Sequence, residues 1–402
     1  MPETSWLQSA SPAFRLMIAT SWLAPASWQE KQEQAIREAI GAGVDWMEYL
    51  RLVDRHRTPA LSWAALRQVP GLVIPEPAKQ ELQRRSEACR MQAVKHSLLL
   101  AGVLKGFHRA GIPVMTLKGP LLSLELYGDV GLRHSHDLDL AVKPEDLAKA
   151  QACLENMGWR LDSTYFPLSP RQWESCLQHE HHLSFVYPHG DCLLELHWRT
   201  RWELKGQTTD RWARSIPGVW QGCSYKAMNP IDQVLYLCSH GGGHGWFRAK
   251  WIGDLARIHS EGRMDWQAVL GQASRTGQER VLLASLLLLQ DVFGLPVPDF
   301  PGNPWKDLPS FLIAHPIHSL KIPEEPAALG TLAKVREQFR LIRYERLAVP
   351  QTTGRDHLAE LTYRRADFQV LRLPDRLYWA YAPLRPFLWV WRRVLRRRPA
   401  NR

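Results

Sequence analysis

The sequence predicts an α+β protein in which a small mixed sheet is flanked along the chain by helical regions. Apolar residues recur at helical spacing before residue 110 and after about residue 225, and strand-like alternation is confined to the segment between them. A chain of 402 residues is long enough for about two to three domains. We therefore divide it into an N-terminal helical region (1–110), a core (111–225), a C-terminal helical region (226–375) and a tail (376–402).

The composition is that of a folded protein from a reducing compartment. Hydrophobic residues make up 45% of the chain and charged residues 23%, which excludes a mostly disordered protein. The six cysteines are scattered and form no CxxC pair, so we expect free thiols and no cysteine zinc site. The first residues do not resemble a secretory signal, and the longest apolar stretch, near residues 281–289, is too short to span a bilayer. These features predict a cytoplasmic protein.

The net charge of +11 is concentrated at the C-terminus. Residues 376–402 contain eight arginines and no acidic residue, so the other 375 residues carry only +3. A basic tail indicates binding to a surface or a partner, whereas a nucleic-acid-binding protein would be basic over its folded part. Nucleic acid is therefore not an expected partner.

Local patterns place the individual elements. Helical periodicity covers residues 29–40, 45–53 and 78–107, and prolines separate the last two of these segments. In the core we predict a strand at 112–117, a helix at 121–127, a strand at 137–142, a helix at 144–157 that ends at Gly158, and a hairpin of strands 182–187 and 192–198 around a turn at 188–191. Helices are predicted at 231–240, 246–259, 265–273 and 278–293, and beyond a proline-rich connection at 323–347.

Two aspartates in the second predicted strand are the first chemical signal. Alternation places Asp137 and Asp139 on one face of the strand and the apolar residues on the other. Two carboxylates this close repel each other, and a divalent cation relieves the repulsion. The simpler alternative is a pair of exposed aspartates on an edge strand.

Three further features of the sequence favour the metal site over this alternative. Glu195 lies on the polar face of strand 192–198 together with His197, and it reaches the aspartates if the two strands are neighbours. Lys118-Gly119 forms a strand-to-helix turn, where a helix N-terminus, a lysine and a glycine suit a phosphate. Arg133, four residues before the first aspartate, is another expected phosphate contact.

The ordered set of motifs resembles the uncharacterised nucleotidyltransferase family of the DNA polymerase β-like superfamily. The motifs are Lys118-Gly119, Gly131-Leu132-Arg133, Asp137-Leu138-Asp139-Leu140-Ala141-Val142 and Glu195-Leu196-His197-Trp198, followed by His240, His244, Arg248, Trp251 and Gly253-Asp254-Leu255-Ala256. The resemblance covers roughly residues 45–275. The sequence departs from the superfamily at its phosphate turn, which is usually Gly-Ser or Gly-Gly, and at Glu195, where many members have Asp.

The resemblance implies a nucleotidyltransferase fold and reaction for the core. An NTP would be the substrate, an NMP would pass to an acceptor, and pyrophosphate would leave. Asp137, Asp139 and Glu195 would hold Mg²⁺ or Mn²⁺ and carry catalysis, and Lys118, Gly119 and Arg133 would bind phosphate. It also makes His182, His240, His244 and Arg248 candidates for lining the cleft. The acceptor is expected to be a small molecule, a protein or a polysaccharide precursor.

Two other functions stay open at this point. His240 and His244, four residues apart, could form the metal site of a hydrolase with Asp254, although Gly241-Gly242-Gly243 between them predicts a helix end or a loop. Imidazole ligands would then select Zn²⁺ or Fe²⁺ rather than Mg²⁺. A non-catalytic module that binds a membrane or a partner is the third hypothesis, although the presence of all three carboxylates argues against it.

The tail allows two interpretations. Its aromatic residues alternate with arginines between Tyr378 and Arg398, which is the composition of a segment that binds an anionic membrane surface from the inner side. Alternatively, the aromatic residues dock on the folded protein and the arginines face water. Prolines at 383 and 386 limit any single helix there to about residues 387–398.

Overall fold

The computed structural model describes residues 5–165, 167–187, 192–200, 207–322, 328–349 and 365–391. It has the α+β architecture that the sequence predicts, with a mixed sheet between helical regions. Within the described residues the sheet has seven strands in the order β3-β4-β5-β2-β1-β7-β6. The strands are β1 (Met115–Thr116), β2 (Asp137–Ala141), β3 (Arg160–Leu161), β4 (His182–Tyr187), β5 (Cys192–His197), β6 (Ile216–Trp220) and β7 (Cys223–Ala227).

Helices precede and interrupt this sheet. Six come before it: α1 (Ser5–Gln8), α2 (Pro12–Thr20), α3 (Ala26–Gly41), α4 (Trp46–His56), α5 (Pro59–Arg67) and α6 (Glu76–Arg109). Four lie between its strands: α7 (Pro120–Tyr127), α8 (Leu147–Asn156), α9 (Pro170–His179) and α10 (Gln207–Arg214). Ser169 and Gln172 form a capping box that fixes the start of α9.

Another group of helices follows the sheet. These are α11 (Pro230–Gly243), α12 (Ala249–Ser260), α13 (Trp266–Thr276), α14 (Glu279–Phe293), α15 (Phe311–Lys321), α16 (Thr331–Ala348), α17 (Arg365–Val370) and α18 (Tyr381–Val390). Side chains of Asn229 and Asp265 accept hydrogen bonds from the first turns of α11 and α13, which explains where these helices begin. No helix in the described part of the chain combines the length and the apolar character that crossing a membrane requires.

Two hydrophobic clusters hold the elements together. One lies against the sheet and contains Leu138, Leu140 and Leu194 together with apolar residues of α6 and α8. The other joins the N-terminal helices α2 to α5 to the C-terminal helices α11 to α16. The apolar face of β2 therefore packs in the first cluster, and its carboxylates point away from it.

Several sequence predictions of element bounds need correction. The strand predicted at 112–117 is regular only at Met115–Thr116, because Pro113 lacks the N–H that a ladder needs. The short strands β3, β6 and β7 were not predicted, since Pro217 and Gly218 hide the alternation of β6. The helix predicted from 246 begins at Ala249, because Trp246 has a positive φ of 55°.

The three glycines are the last residues of helix α11, which confirms the predicted helix end and places it three residues beyond the predicted bound at 240. Helix α11 continues through Gly241-Gly242-Gly243 and ends there. A Cβ at Gly241 would lie 2.3 Å from Cζ3 of the buried Trp246 ring, so a glycine is needed for this ring to pack. The antiparallel pairing of β4 and β5 confirms the predicted hairpin strands, while its turn at 188–191 lies outside the described residues, as do 323–327 of the last predicted helix.

Candidate active site

The sheet brings the predicted carboxylates together. Strands β2 and β5 are parallel neighbours, and in their register Asp139 lies directly opposite Glu195. Asp137 precedes Asp139 by two residues and therefore lies on the same face of β2. The expectation that the two strands are adjacent is confirmed, and the alternative of aspartates on an edge strand is wrong, because β2 lies between β5 and β1.

Asp139 is the most deeply placed of these acids. It is 2% exposed, and its Oδ1 lies 3.0 Å from Nζ of Lys118, which is 8% exposed. Burial alone would raise the pKa of Asp139, but Lys118 and His197 outweigh it and lower the pKa. The same contact keeps Lys118 charged, since the carboxylate raises the pKa of the ammonium although burial opposes this. The pair is an internal ion pair at the end of β1.

His197 links the two opposed acids. Its Nε2 lies 3.4 Å from Asp139 Oδ1 and 3.3 Å from Glu195 Oε2. Burial alone would lower the pKa of His197, but hydrogen bonds to both carboxylates raise it. Burial alone would raise the pKa of Glu195, as it would that of Asp139. The neighbouring His197 and His182 outweigh this effect and lower the pKa of Glu195 to about 2. Glu195 is therefore ionised, with His182 Nε2 at 3.7 Å from its Oε1.

Lys118 also connects the sheet to helix α11. Its Nζ lies 3.3 Å from Nδ1 of His240, and its ammonium is 5.9 Å from the centre of the Tyr236 ring. Burial and the neighbouring Lys118 charge lower the pKa of His240 well below its usual range, so this histidine is neutral. Helix α11 thus contacts the lysine that pairs with Asp139.

The turn after β1 has the conformation that a glycine allows. Gly119 has φ 77° and ψ −150°, a region in which other residues are strained, and it is the N-cap of α7. A Cβ there would be 3.8 Å from the carbonyl oxygen of Asp137, so the strain is in the backbone and not in packing. The first N–H groups of α7 consequently lie next to the strand that carries the acids.

Arg133 has a partner that the sequence did not indicate. It is 2% exposed, and its Nε donates to both carboxylate oxygens of Asp254 at 2.9 Å. This buried pair ties the loop before β2 to α12. The predicted phosphate contact of Arg133 thus competes with an ion pair inside the protein, and it stays a prediction.

The same pair bears on the hydrolase hypothesis. Asp254 is bound to Arg133. In the described part of the chain, no cluster of three or more metal-ligand atoms within 4.8 Å of one another contains Asp254, His240 or His244. His244 stacks on Trp251 with ring centres 5.1 Å apart. Trp251 is 7% exposed and belongs to the hydrophobic core.

Arg248 is buried and contacts other parts of the protein. It is 5% exposed, its Nη1 donates to the carbonyl oxygen of Arg55 at 2.9 Å, and its guanidinium lies 4.9 Å from the Phe247 ring centre. It therefore links α12 to the N-terminal helix α4. The role of cleft-lining residue expected for Arg248 stays a prediction, as do those of His182, His240 and His244.

The donor atoms fit a divalent cation. Asp139, Glu195 and His197 each offer one ligand atom, and these atoms lie within 4.8 Å of one another. Oδ2 of Asp139 and Nδ1 of His197 are buried without a hydrogen-bond partner among the described residues. Such groups are costly to bury unless something binds them. Asp137 is not part of this group. The group therefore contains His197 in the place of Asp137, which the sequence predicts as a ligand together with Asp139 and Glu195.

Sequence reasoning missed two residues of this region. His197 was assigned to the face of Glu195, yet its position between two acids depends on the register of β5 against β2. Lys250 is 6% exposed, donates to the carbonyl oxygen of His134 at 3.0 Å, and has a pKa well below its usual range because of burial and the neighbouring Arg133. Nothing in the local pattern around Lys250 distinguishes it from an exposed helical lysine.

Comparison with known proteins gives one match. The model of a family described as uncharacterised nucleotidyltransferases matches residues 42–294, which include the sheet, the candidate site and helices on both sides. No curated protein and no solved structure matches the chain. Since the match covers more than half of the sequence, the chain belongs to the uncharacterised nucleotidyltransferase family.

Proposed function

We propose that the protein is a nucleotidyltransferase that depends on Mg²⁺ or Mn²⁺ and moves an NMP from an NTP to an acceptor hydroxyl or phosphate. The observation that carries the proposal is the group formed by Asp139, Glu195 and His197 beside the Lys118-Gly119 turn. Carboxylates that bind a cation and a helix N-terminus that binds phosphate are the two parts that this reaction needs. Family membership supports the same reaction.

The proposed reaction is the transfer of a nucleotidyl group. The acceptor oxygen attacks the α-phosphorus, a new P–O bond forms, the bond between the α- and β-phosphates breaks, and pyrophosphate leaves. A divalent cation held by Asp139 and Glu195, with Asp137 next to them, would neutralise the charge on the phosphates. Glu195, which is ionised and about one-fifth exposed, would take the proton of an acceptor hydroxyl.

Lys118 would exchange partners during binding. Its ammonium now contacts Asp139, and a phosphate at the N-terminus of α7 offers it a second anion close to the first. Gly119 allows the backbone to approach that phosphate. His182, His240, His244 and Arg248 complete the proposed cleft, and the acceptor is a small molecule, a protein or a polysaccharide precursor.

The test is pyrophosphate release by the purified full chain. Each of the four NTPs is incubated with Mg²⁺ or Mn²⁺, with and without cell lysate as a source of acceptor. Glu195→Gln removes the proposed base and ligand while keeping the size of the side chain, and we expect at least about a hundredfold loss of turnover. Glu145→Gln, at an exposed position, is the matched control and should keep full activity.

Two results would overturn the proposal. One is the absence of pyrophosphate release from every NTP under all these conditions. The other is release that the Glu195→Gln variant retains at the rate of the Glu145→Gln control. Calorimetric titration with Mn²⁺ supplies an independent readout, since Glu195→Gln should weaken cation binding even without turnover.

A further inference from the structure

A cleft of about 310 Å³ lies on the other side of the Lys118 turn. It runs between helix α7 and the β6–β7 end of the sheet, and its volume is at the lower end of the range for small-molecule sites, about 300–1,000 Å³. Its walls are mainly apolar. The apolar lining residues are Leu117, Leu121, Leu122, Leu124, Ile216, Pro217, Tyr225 and Ala227.

One polar group in this cleft lacks a partner. Gln233 of α11 is 5% exposed, and its Nε2 is buried without a hydrogen-bond partner in the part of the chain that is described. An unsatisfied buried donor costs roughly 1–3 kcal/mol. Because Gln233 lines the cleft, an acceptor atom of a bound molecule would satisfy it.

The Tyr225 ring is held in the cleft wall by a glycine on the adjacent strand. Tyr225 of β7 is paired with Gly218 of β6. A Cβ at position 218 would lie only 2.4 Å from Cζ of the ring, so any side chain there would displace the ring. The wall of the cleft thus contains an aromatic ring in a defined position.

We propose that this cleft binds the nucleobase of the NTP, an inference that rests on the proposed function. Lys118 also lines the cleft, so phosphates at the turn and a base between α7 and Tyr225 can belong to one molecule. The aromatic ring and the leucines offer a planar base stacking and apolar contact. The Nε2 of Gln233 donates to a ring nitrogen or carbonyl oxygen of the base.

The test is calorimetric titration of the full chain with ATP, GTP, CTP and UTP. Gln233→Leu removes the donor with little change in volume, and Tyr225→Leu removes the ring. We expect each to weaken binding of the preferred NTP about tenfold, and Gln233→Leu to reduce the preference among the four bases. Tyr187→Leu, at the opposite end of the sheet, is the control and should bind like the wild type.

The outcomes separate the two proposals. If NTPs bind and pyrophosphate is released but Gln233→Leu and Tyr225→Leu bind all four NTPs like the wild type, the inference about the base is overturned and the proposed function stands. If the wild type neither binds nor turns over any NTP, the proposed function fails and the inference fails with it.

An independent observation concerns helix α18 and the residues just before it. One side of this segment is docked on the protein: Tyr381 is 2% and Leu388 8% exposed, and the Tyr381 hydroxyl donates to the carbonyl oxygen of Leu371 at 2.7 Å. Arg385 is also buried and lies 4.0 Å from the carboxylate of Asp367. Tyr381 and Leu388 therefore dock as the docking interpretation predicts, whereas the buried Arg385 does not face water as that interpretation predicts.

The other side of the segment presents large apolar residues to solvent. Trp379 is 69%, Phe387 73% and Trp391 51% exposed, with Val390 at 45%. We call these four residues the aromatic face. Val390 and Trp391 lie three and four residues after Phe387 and therefore share one side of the helix with it, and exposed apolar groups of this kind are typical of a binding surface.

The charge of the chain at this end indicates what the aromatic face binds. Eight arginines and no acidic residue lie between positions 376 and 402. Aromatic rings at the level of the lipid headgroups, next to arginines that attract anionic lipid at about 1 kcal/mol each, make up an interfacial membrane-binding segment. We infer that the aromatic face binds an anionic membrane surface.

Vesicle sedimentation tests this inference. The full chain should pellet with vesicles of phosphatidylcholine and phosphatidylserine, remain in solution with phosphatidylcholine alone, and be released by 0.5 M salt, a concentration at which screening reaches only about 4 Å. The variant Phe387→Ser/Trp391→Ser should reduce binding about tenfold or more. Phe339→Ser, at an exposed site on α16, is the matched control and should bind like the wild type.

Three results would overturn it. These are equal sedimentation of the double variant and the control, equal sedimentation with neutral vesicles, and binding to single-stranded RNA with none to the anionic vesicles. Pyrophosphate release should be unchanged in the double variant, because the aromatic face lies outside the candidate active site.

Discussion

Lys118 and Asp139 form an ion pair in which both partners are almost fully buried. Removing one member of such a pair leaves the other as an uncompensated charge, at a cost of about 3–5 kcal/mol. Removing both is often much less costly, because no charge is then left inside the protein. A substitution at either residue therefore affects folding as well as the proposed catalysis, and activity alone would not separate the two effects.

This gives a prediction for a double-variant cycle. Lys118→Met should lower the free energy of unfolding by about 3–5 kcal/mol, whereas Lys118→Met/Asp139→Asn should regain a large part of that loss. Urea unfolding measures both quantities. Additive losses in the double variant would show that the two side chains do not interact.

At the scale of residues, the sequence predicted which acids share a strand face but not what each would contact. Alternation placed Asp139 and Glu195 correctly, since it depends only on neighbouring positions. The pairs Lys118–Asp139 and Arg133–Asp254 join residues far apart in the chain, and no local pattern specifies them. For this reason the sequence predicts a phosphate contact for Arg133 but gives no sign of its ion pair with Asp254.

At the scale of elements, the turn from β1 to α7 depends on the backbone of Gly119. Its φ of 77° with ψ of −150° is accessible to glycine and strained for other residues, although a Cβ would have room. The turn sets the direction of α7 relative to β1. The proposed phosphate position depends on that direction.

Replacing this glycine should therefore cost stability. Gly119→Ala should lower the free energy of unfolding by about 1–3 kcal/mol. Gly102→Ala is a matched control, because Gly102 lies within α6 and a Cβ there would have room on all sides. This substitution should raise the free energy of unfolding by about 0.4–1 kcal/mol. Thermal unfolding of the two variants and the wild type tests this. We expect the melting temperature to fall in Gly119→Ala and to rise in Gly102→Ala.

Long elements were predicted better than short ones, for a physical reason. Helices α3, α4, α6 and α14 have several turns of periodic apolar residues, so a local pattern identifies them. Strands β3, β6 and β7 have two to five residues, and they are stable only because other strands pair with them. These strands form because neighbouring strands of the sheet pair with them, and a local sequence pattern does not reveal that pairing.

At the scale of the whole molecule, buried neutral histidines couple stability to pH. His315 is 2% exposed, and burial, with further contributions from Arg340 and His318, lowers its pKa to about 4. Burial, assisted by Lys250, similarly lowers the pKa of His134 to about 2. The unfolded chain binds protons at these residues near pH 6.5. His197 has a raised pKa and acts in the opposite direction.

The sign of the effect follows from these shifts. The stability contributed by neutral His315 is fully present above pH 6.5 and is lost as the pH falls towards 4, which amounts to about 3 kcal/mol. We expect His315→Leu to make the free energy of unfolding fall less steeply between pH 6.5 and 4. Urea unfolding at several pH values measures the slope, and an unchanged slope would contradict the assignment.

The core shared by helices at the two ends of the chain has a consequence for synthesis on the ribosome. Apolar residues of α2 to α5 pack against α11 to α16, and about 160 residues separate α5 from α11. At roughly 5–20 residues per second, the first helices leave the ribosome about 10–30 s before their partners exist. Until then their apolar faces are uncovered, so during translation this protein depends on whatever shields nascent hydrophobic surface in the cell.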